Sequence, residues 1–349
     1  MDIKGHISWG ILGTGKIAGV FAKGLQTARL GKLLGVGSRS MESATRFAAE
    51  WGAPKRYASY DALLADRDID AIYISLPNHL HKEWIIRCAQ AGKHILCEKP
   101  LATNYAEAKE AIDAVRAQDV FLMEAFMYRC HPQTARLVQL IRDGAIGKVR
   151  VIQAHFSYNM GGLQKNIRQE NQSAGGAIMD VGCYCVSYAR LVAGAALGQD
   201  FADPVAVKAV AHLGEETRVD EWATAALRFP GDILANVTCG IQVRVDYALR
   251  IWGSEGHIIV PNPWLPGQPR HDSDGVASIR IQRDGEAQPK VETLPMGDPL
   301  YSIEADTVAR HIKNRQAPSP CMTWADSLGN MNTLDAWRKD IGLVFDNER

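Results

Sequence analysis

The first 125 residues alternate between short apolar runs and segments with helical spacing of apolar residues, and this alternation limits the possible folds most strongly. The apolar runs have the length and composition of buried strands. Strands that alternate with helices form βαβ units, whose right-handed crossovers make the strands parallel. We therefore predict a doubly wound parallel sheet in this part of the chain.

The pattern changes after about residue 125, where strand-like runs follow one another and are separated by turn sequences such as FPGD and GSEG. Such a succession is typical of an open, mainly antiparallel sheet. The chain has 349 residues, more than one core usually supports. We predict an α/β protein with two domains, residues 1–125 and 126–349.

A glycine motif follows the first predicted strand. Gly13, Gly15 and Ala18 fit the pattern G-x-G-x-x-G/A, in which the glycines make a tight turn and allow a pyrophosphate to approach the backbone. Alone the pattern is weak and also fits a structural turn. Here it lies between a strand and a helix, which is the context that a dinucleotide site requires. We predict a Rossmann domain.

The end of the second strand indicates the form of the dinucleotide. NAD sites usually have an acidic residue there for the ribose 2′-hydroxyl. This chain has Ser38, Arg39 and Ser40 instead. Arginine supplies a planar fork for a 2′-phosphate, which favours NADP. NAD stays open, because Arg39 could face solvent and Glu42 could reach a ribose.

Polar residues also follow the later strands. Glu98 and Lys99 end the fourth strand, and the segments 75–81 and 127–132 follow the third and fifth. Ligands bind outside the carboxyl ends of parallel strands, so these segments are expected to line the crevice. The alternative for Glu98 and Lys99 is an ordinary surface ion pair.

Asp180 and Tyr184 are four residues apart in a helical pattern and therefore share a face. The preceding pair Gly175-Gly176 is expected to permit close approach to a ligand. A tyrosine near a lysine has a lowered pKa, and it can accept a proton from a substrate hydroxyl as hydride leaves the carbon. Read alone, Tyr184 would be a buried aromatic residue with a satisfied hydroxyl.

Five segments, in this order, resemble the glucose-fructose oxidoreductase/inositol dehydrogenase/rhizopine-catabolism (Gfo/Idh/MocA) family: WGILGTGKIA, AIYISLPNHLH, GKHILCEKPLA, GGAIMDVGCY and SPCMTWADSLGNMNTLDAWR. The resemblance covers nearly the whole chain. It implies a Rossmann domain followed by an α+β domain that carries substrate contacts and often an oligomer interface. It also implies that Lys99, the lysine of E-K-P, is the catalytic residue nearest the nicotinamide.

The spacing D-x-x-x-Y at Asp180–Tyr184 resembles the dihydrodiol dehydrogenase, xylose dehydrogenase and glucose-fructose oxidoreductase branch, whereas inositol dehydrogenases carry D-x-x-x-H. We therefore expect an NADP-dependent oxidoreductase of a sugar, cyclic polyol or trans-dihydrodiol. Tyr184 would be the acid/base, Lys99 would lower its pKa, and Asp180 would orient the pair. Two alternatives are an enzyme that recycles tightly bound NADP and a non-enzymatic NADP sensor. The Lys99, Asp180 and Tyr184 set speaks against the sensor.

Further site residues are expected at the strand ends and in the glycine loop. Contacts with the dinucleotide are predicted for Gly13, Thr14, Gly15, Lys16, Ile17, Ser38, Arg39, Ser40, Ser75, Leu76, Asn78, His81, Glu98 and Lys99. The resemblance adds Arg168 as a nicotinamide or substrate contact, with a surface arginine as the alternative. Substrate contacts are predicted for Tyr158, His155 and Arg129.

The amino-acid composition excludes several classes of binding partner. The formal net charge is +0, which argues against a surface for nucleic acid or for an anionic membrane. The 7 cysteines are scattered, which favours reduced thiols and a cytoplasmic location. Cys183 and Cys185 diverge on a helix, so no metal is expected. The resemblance implies a homodimer or homotetramer through the C-terminal sheet.

Overall fold

A computed structural model describes residues 6–268, 275–294 and 297–348, which form two compact units. The first unit runs to Cys130 and also contains Asp298–Ser327. The second unit contains His131–Gly297 and the chain from Leu328 onward. The predicted boundary after residue 125 falls near Cys130, but the segment 298–327 returns to the first unit.

The helices of the two units are, in chain order, α1 (Lys16–Leu25), α2 (Met41–Trp51), α3 (Tyr60–Leu64), α4 (His81–Gln90), α5 (Tyr105–Ala117), α6 (Pro132–Arg142), α7 (Cys183–Ala196), α8 (Leu300–His311) and α9 (Trp324–Asp340). The segment 298–327, which belongs to the first unit, contains α8. The Asp306 carboxylate accepts the backbone N–H groups of Arg29 and Leu30, just after α1. A helical pattern in sequence does not state which sheet the helix will cover, so this contact was not predicted.

The first unit contains a six-stranded parallel sheet in the order β3-β2-β1-β4-β5-β6. Its strands are β1 (Ile7–Leu12), β2 (Gly31–Gly37), β3 (Lys55–Tyr57), β4 (Ala71–Ile74), β5 (His94–Glu98) and β6 (Leu122–Ala125). All four residues of β4 are buried, as expected for a strand covered on both faces. The predicted doubly wound parallel sheet is confirmed.

The second unit contains an eight-stranded sheet in the order β14-β13-β12-β11-β7-β10-β9-β8, antiparallel except between β7 and β10. Its strands are β7 (Val149–Ser157), β8 (Ala206–Leu213), β9 (Asp220–Arg228), β10 (Leu234–Gly240), β11 (Leu249–Gly253), β12 (Gly256–Val260), β13 (Ala277–Arg283) and β14 (Lys290–Leu294). The predicted open, mainly antiparallel sheet is therefore confirmed.

One face of this sheet packs on α7, whose residues Cys183–Ala195 are all buried. The other face leaves Val151, Trp222 and Leu234 exposed. Within the described residues, no helix combines the length and the apolar character that crossing a membrane requires.

Candidate active site

The glycine loop joins β1 to α1 in the first unit. Gly13 has φ +101, and a Cβ built there would lie 2.9 Å from Ser75 Oγ, so only glycine fits without strain. At Gly15, the N-cap of α1, a Cβ would meet nothing within 4 Å, and no described side chain caps the helix. The N–H groups at the start of α1 are therefore available to a pyrophosphate.

The neighbouring strand ends support this cradle. Ser75 Oγ donates to the Leu12 carbonyl at 2.7 Å and ties the end of β4 to that of β1. Leu76 is buried, and Asn78 begins a short 3-10 turn before α4. Thr14 and Ile17 are half-buried, and Lys16 is exposed beside the loop. These residues fit a dinucleotide along the carboxyl ends of the strands.

The end of β2 presents one exposed cation. Ser38 is buried, and its N–H bonds the Tyr57 carbonyl at 3.1 Å. Ser40 caps α2, because its Oγ accepts the Ser43 N–H at 3.2 Å. Arg39 is exposed, and its charge opposes the rise in the pKa of Tyr60 that burial causes. Of the three residues, Arg39 has the most freedom to meet a 2′-phosphate.

His81 holds the scaffold together. It is fully buried, with Nδ1 2.8 Å from the Pro100 carbonyl and Nε2 2.8 Å from the Leu76 carbonyl. Burial lowers its pKa. The ring therefore lies between the chain after β4 and the chain after β5, and in its neutral form it donates to one of the two carbonyls.

Glu98 and Lys99 are half-buried at the end of β5. The Tyr73 hydroxyl donates to Glu98 Oε1, and burial raises the pKa of Tyr73 well above its usual value, so that this donor keeps its proton. Two residues after Lys99, the Leu101 N–H bonds Oε1 of Glu124 at 2.9 Å. The side chain before Lys99 and the backbone after it are thus held by buried side chains.

In the second unit, Asp180 lies in a π-helical turn, Ile178–Gly182, that runs directly into α7. Tyr184 is in the first turn of α7. The wider turn differs from the predicted α-helix, and such turns are frequent at functional sites. At Gly182 a Cβ would lie 3.1 Å from Cys239 Sγ, so the turn packs closely on β10.

Tyr184 faces an aromatic cluster and is only 5% exposed. Its ring meets Phe156 edge-on at 5.2 Å and Trp264 at 6.0 Å. Trp264 is fixed in turn, because its Nε1 donates to the His155 carbonyl at 3.0 Å. The phenol is therefore held rigidly against an apolar wall.

Asp180 is the centre of a polar network in the second unit. Its Oδ2 pairs with Arg168 Nε at 3.0 Å and accepts a hydrogen bond from the Tyr158 hydroxyl. Burial is the main cause that raises the pKa of Tyr158, and the negative charge of Asp180 raises it further. Tyr158 and Arg168, predicted as ligand contacts, are thus brought together around the predicted orienting carboxylate.

The pair Gly175-Gly176 serves packing within the chain. A Cβ on Gly175 would lie 2.6 Å from the Arg168 carbonyl oxygen, and one on Gly176 would lie 2.1 Å from Asp220 Oδ1. Protein atoms already fill the space that a side chain would take at both positions, so packing within the chain explains the two glycines. Close approach of a ligand to them stays a prediction.

Two predicted substrate contacts lie elsewhere. The Arg129 side chain is 1% exposed and pairs with the equally buried Asp326 at 2.6 Å, within the first unit. His155 alternates with Phe156 along β7, so it points to the opposite face of the sheet, where its Nε2 lies 3.1 Å from Asn236 Oδ1. The structure does not bring His155 together with Tyr184.

Two carboxylates in these networks, Glu124 and Asp220, were missed by sequence reasoning. Asp220 is fully buried and accepts the Ile178 N–H at 2.7 Å. An aspartate at the start of a strand usually indicates a surface turn, so its pattern carried no signal. Glu124 lies in the apolar run of β6, where an isolated acidic residue could have been singled out. Among the described residues, no cluster of three or more His, Cys, Asp or Glu could hold a metal.

Comparison with known proteins agrees with this geometry over both units. The model of an oxidoreductase family with an NAD-binding Rossmann fold matches residues 7–126. The model of the Gfo/Idh/MocA C-terminal domain matches residues 133–259.

Relatives and solved structures match along nearly the whole chain. An oxidoreductase of Rhizobium meliloti is 36% identical over 95% of each chain. The trans-1,2-dihydrobenzene-1,2-diol dehydrogenase of Xenopus tropicalis is 32% identical over 97% of this chain and 98% of its own. A 3-ketoreductase from Actinomadura kijaniata, solved with NADP and TDP-benzene, is similar with a TM-score of 0.84 and 27% identity, over 96% of this chain and 98% of the other.

Proposed function

Because this chain belongs to the Gfo/Idh/MocA family of NAD-binding Rossmann-fold oxidoreductases, as its motifs predict, we propose that it is an NADP-dependent dehydrogenase of sugars, cyclic polyols or trans-dihydrodiols. The prediction of an oxidoreductase is confirmed by the family. The substrate class and the roles of individual residues are the proposal. The first unit would hold the dinucleotide, and the second would supply the substrate contacts.

The choice of NADP rests on Arg39. The glycine loop suits the pyrophosphate of either dinucleotide, so it does not discriminate. Arg39 is exposed at the end of β2, where a 2′-phosphate would need a charge-assisted partner. The 3-ketoreductase from Actinomadura kijaniata was solved with NADP, which supports the same choice.

Tyr184 is proposed as the acid/base that exchanges a proton with the reacting hydroxyl. In oxidation, the Tyr184 phenolate accepts the proton of the reacting hydroxyl, the C–H bond breaks, and a C=O bond forms. A bound nicotinamide would supply the acceptor for the hydride, which carries the electron pair of the C–H bond. Lys99 would hold the reacting oxygen and favour the phenolate by its charge, and Glu98 would position Lys99 or the ribose. Reduction runs through the same groups in reverse.

The observation that carries the proposal is the network on Asp180. Arg168 pairs with Asp180, and the Tyr158 hydroxyl fixes its orientation. This carboxylate lies in the helical turn that precedes Tyr184. A protein that only sensed NADP would have no need of an oriented carboxylate and phenol, so the network favours an enzyme. In the aromatic cluster beside Tyr184, Trp264 is fully buried, whereas the half-buried Phe156 has surface that suits the carbon skeleton of a cyclic substrate.

A panel of aldoses, inositols and trans-dihydrodiols tests the proposal. Each compound is incubated with NADP or NAD, and reduced cofactor is followed by its absorbance. We expect turnover with at least one class and preference for NADP. The absence of turnover across the panel, in both directions, would favour the sensor. Cofactor that stays bound through gel filtration during turnover would favour the internally recycled form.

We further propose that the exposed face of the second unit's sheet joins two copies of this chain. The registers of β7, β9 and β10 put Val151, Trp222 and Leu234 on this open face, and Trp222 is 41% and Leu234 49% exposed. Apolar side chains on an uncovered sheet are typical of an interface. Light scattering should give a dimer or tetramer, and Leu234→Lys should shift it towards monomer. A monomeric wild type would refute the assembly.

A further inference from the structure

We propose that Asp220 is a positioning residue that fixes the start of the helix carrying Asp180 and Tyr184. This inference rests on the proposed function for the roles of those two residues. Asp220 itself is fully buried and acts through the backbone. It lies at the start of β9, 42 residues after the amide that it holds.

The carboxylate supplies a cap that the helix lacks locally. The first N–H groups of a helix have no partner inside the helix, and no described side chain next to the π-helical turn caps it. Asp220 Oδ2 accepts the N–H of Ile178, the first residue of that turn, at 2.7 Å. A carboxylate at this end also interacts favourably with the helix dipole.

Gly176 makes the contact possible. It has φ +102, a conformation that favours glycine, and a Cβ there would lie 2.1 Å from Asp220 Oδ1. The Gly176 N–H bonds the Arg168 carbonyl at 2.8 Å, and its own carbonyl accepts the Asp180 N–H at 3.0 Å. The carboxylate therefore packs against the loop whose two ends carry Arg168 and Asp180, the members of the ion pair.

The surroundings of Asp220 set its protonation. Burial raises its pKa to about 7, while the Ile178 N–H and the charge of Arg338 on α9 act in the opposite direction. The Cys239 thiol of β10 also faces it, and burial keeps that thiol protonated by raising its pKa. Near neutral pH, Asp220 accepts the Ile178 N–H either as acid or as carboxylate. Asparagine can imitate this acceptor, whereas leucine has a similar shape and no acceptor.

The test compares Asp220→Asn with Asp220→Leu in the full chain. We expect Asp220→Leu to lower kcat about tenfold, the scale of a lost helix cap, with the KM for NADP unchanged. Asp220→Asn should keep kcat within about threefold of wild type. Hydrogen exchange at the Ile178 amide should be about tenfold faster in the leucine variant only. Equal kcat and equal exchange in the two variants would overturn the assignment, as would a matching rise in the KM for NADP.

Wild type alone provides a second measurement if the leucine variant does not fold. The Ile178 amide must exchange slowly at neutral pH, and exchange as fast as in an unstructured peptide would overturn the proposal. This measurement needs no substrate. A chain that turned over none of the panel but protected Ile178 would refute the proposed function and leave the hydrogen bond of the Ile178 amide supported.

Discussion

The two units hold their predicted catalytic segments in the same way, each with a buried carboxyl group from a strand. In the first unit, Glu124 accepts the N–H of Leu101, two residues after Lys99. In the second, Asp220 accepts the N–H of Ile178, two residues before Asp180. Burial raises the pKa of both acids to about 7. Each unit thus fixes the backbone next to a predicted catalytic residue with a side chain far away in sequence.

The units differ in what they offer a ligand. The first presents backbone N–H groups in a glycine loop, together with Arg39 at the end of β2. The second presents side chains, with Asp180 held by Tyr158 and Arg168. A backbone cradle needs glycines at fixed spacing and so leaves a motif, whereas a side-chain network can be assembled from any part of the chain. Four experiments test this division of roles.

The largest effect is expected at Tyr184. Tyr184→Phe removes one hydroxyl from an aromatic cluster, so packing and NADP affinity should be kept while oxidation falls by about 10²–10⁴-fold. In wild type, the rate of oxidation should rise with pH with an apparent pKa below about 10. That pKa belongs to the coupled site. A pH–rate series on both proteins measures this.

An active phenylalanine variant with the wild-type pH profile would remove Tyr184 from the proton transfer. The matched control is Tyr188→Phe, in the same helix. Tyr188 also packs on Trp264, at 5.4 Å, and the variant should keep near-normal turnover.

Glu124 and Asp220 should make the stability of the protein depend on pH in the same way. Each folded-state pKa of about 7 lies above the unfolded value of about 4. Between these values the unfolded chain loses a proton that the folded chain keeps, so stability falls as pH rises from about 4 to 7 and then levels off. The loss is at most about 3–4 kcal/mol for each acid.

Glu124→Gln and Asp220→Asn should each remove the contribution of one acid to the fall in stability between about pH 4 and 7. Denaturant unfolding at several pH values would measure this change. If only one variant flattens the curve, the likeness between the two units does not extend to their energetics.

Lys99 should matter for chemistry more than for stability. Lys99→Met keeps a similar stem and removes the charge, so turnover should fall by about 10²-fold with little change in Tm. Steady-state kinetics and thermal unfolding on the same sample test this. Near-normal turnover would mean that Lys99 and Glu98 serve only the scaffold, as His81 does.

The smallest effect is expected at Arg39. Arg39→Ala should weaken NADP about tenfold, because one exposed charge-assisted hydrogen bond contributes roughly 1.5 kcal/mol. Binding of NAD should barely change. Titrations with both dinucleotides measure this, with Arg56→Ala, another exposed arginine of the first unit, as the control. Equal losses for NADP and NAD would remove Arg39 from this role.

The sequence by itself determined the parallel sheet, the glycine loop, the open second sheet and the family, because these depend on the period of apolar residues and on local backbone requirements. It also singled out Lys99, Asp180 and Tyr184. Tertiary structure alone decided that α8 returns to the first unit, that Arg129 and His81 hold the scaffold, and that Gly176 makes room for Asp220. Burial and hydrogen-bond partners come from residues far apart in sequence, and neither periodicity nor motif spacing records such contacts.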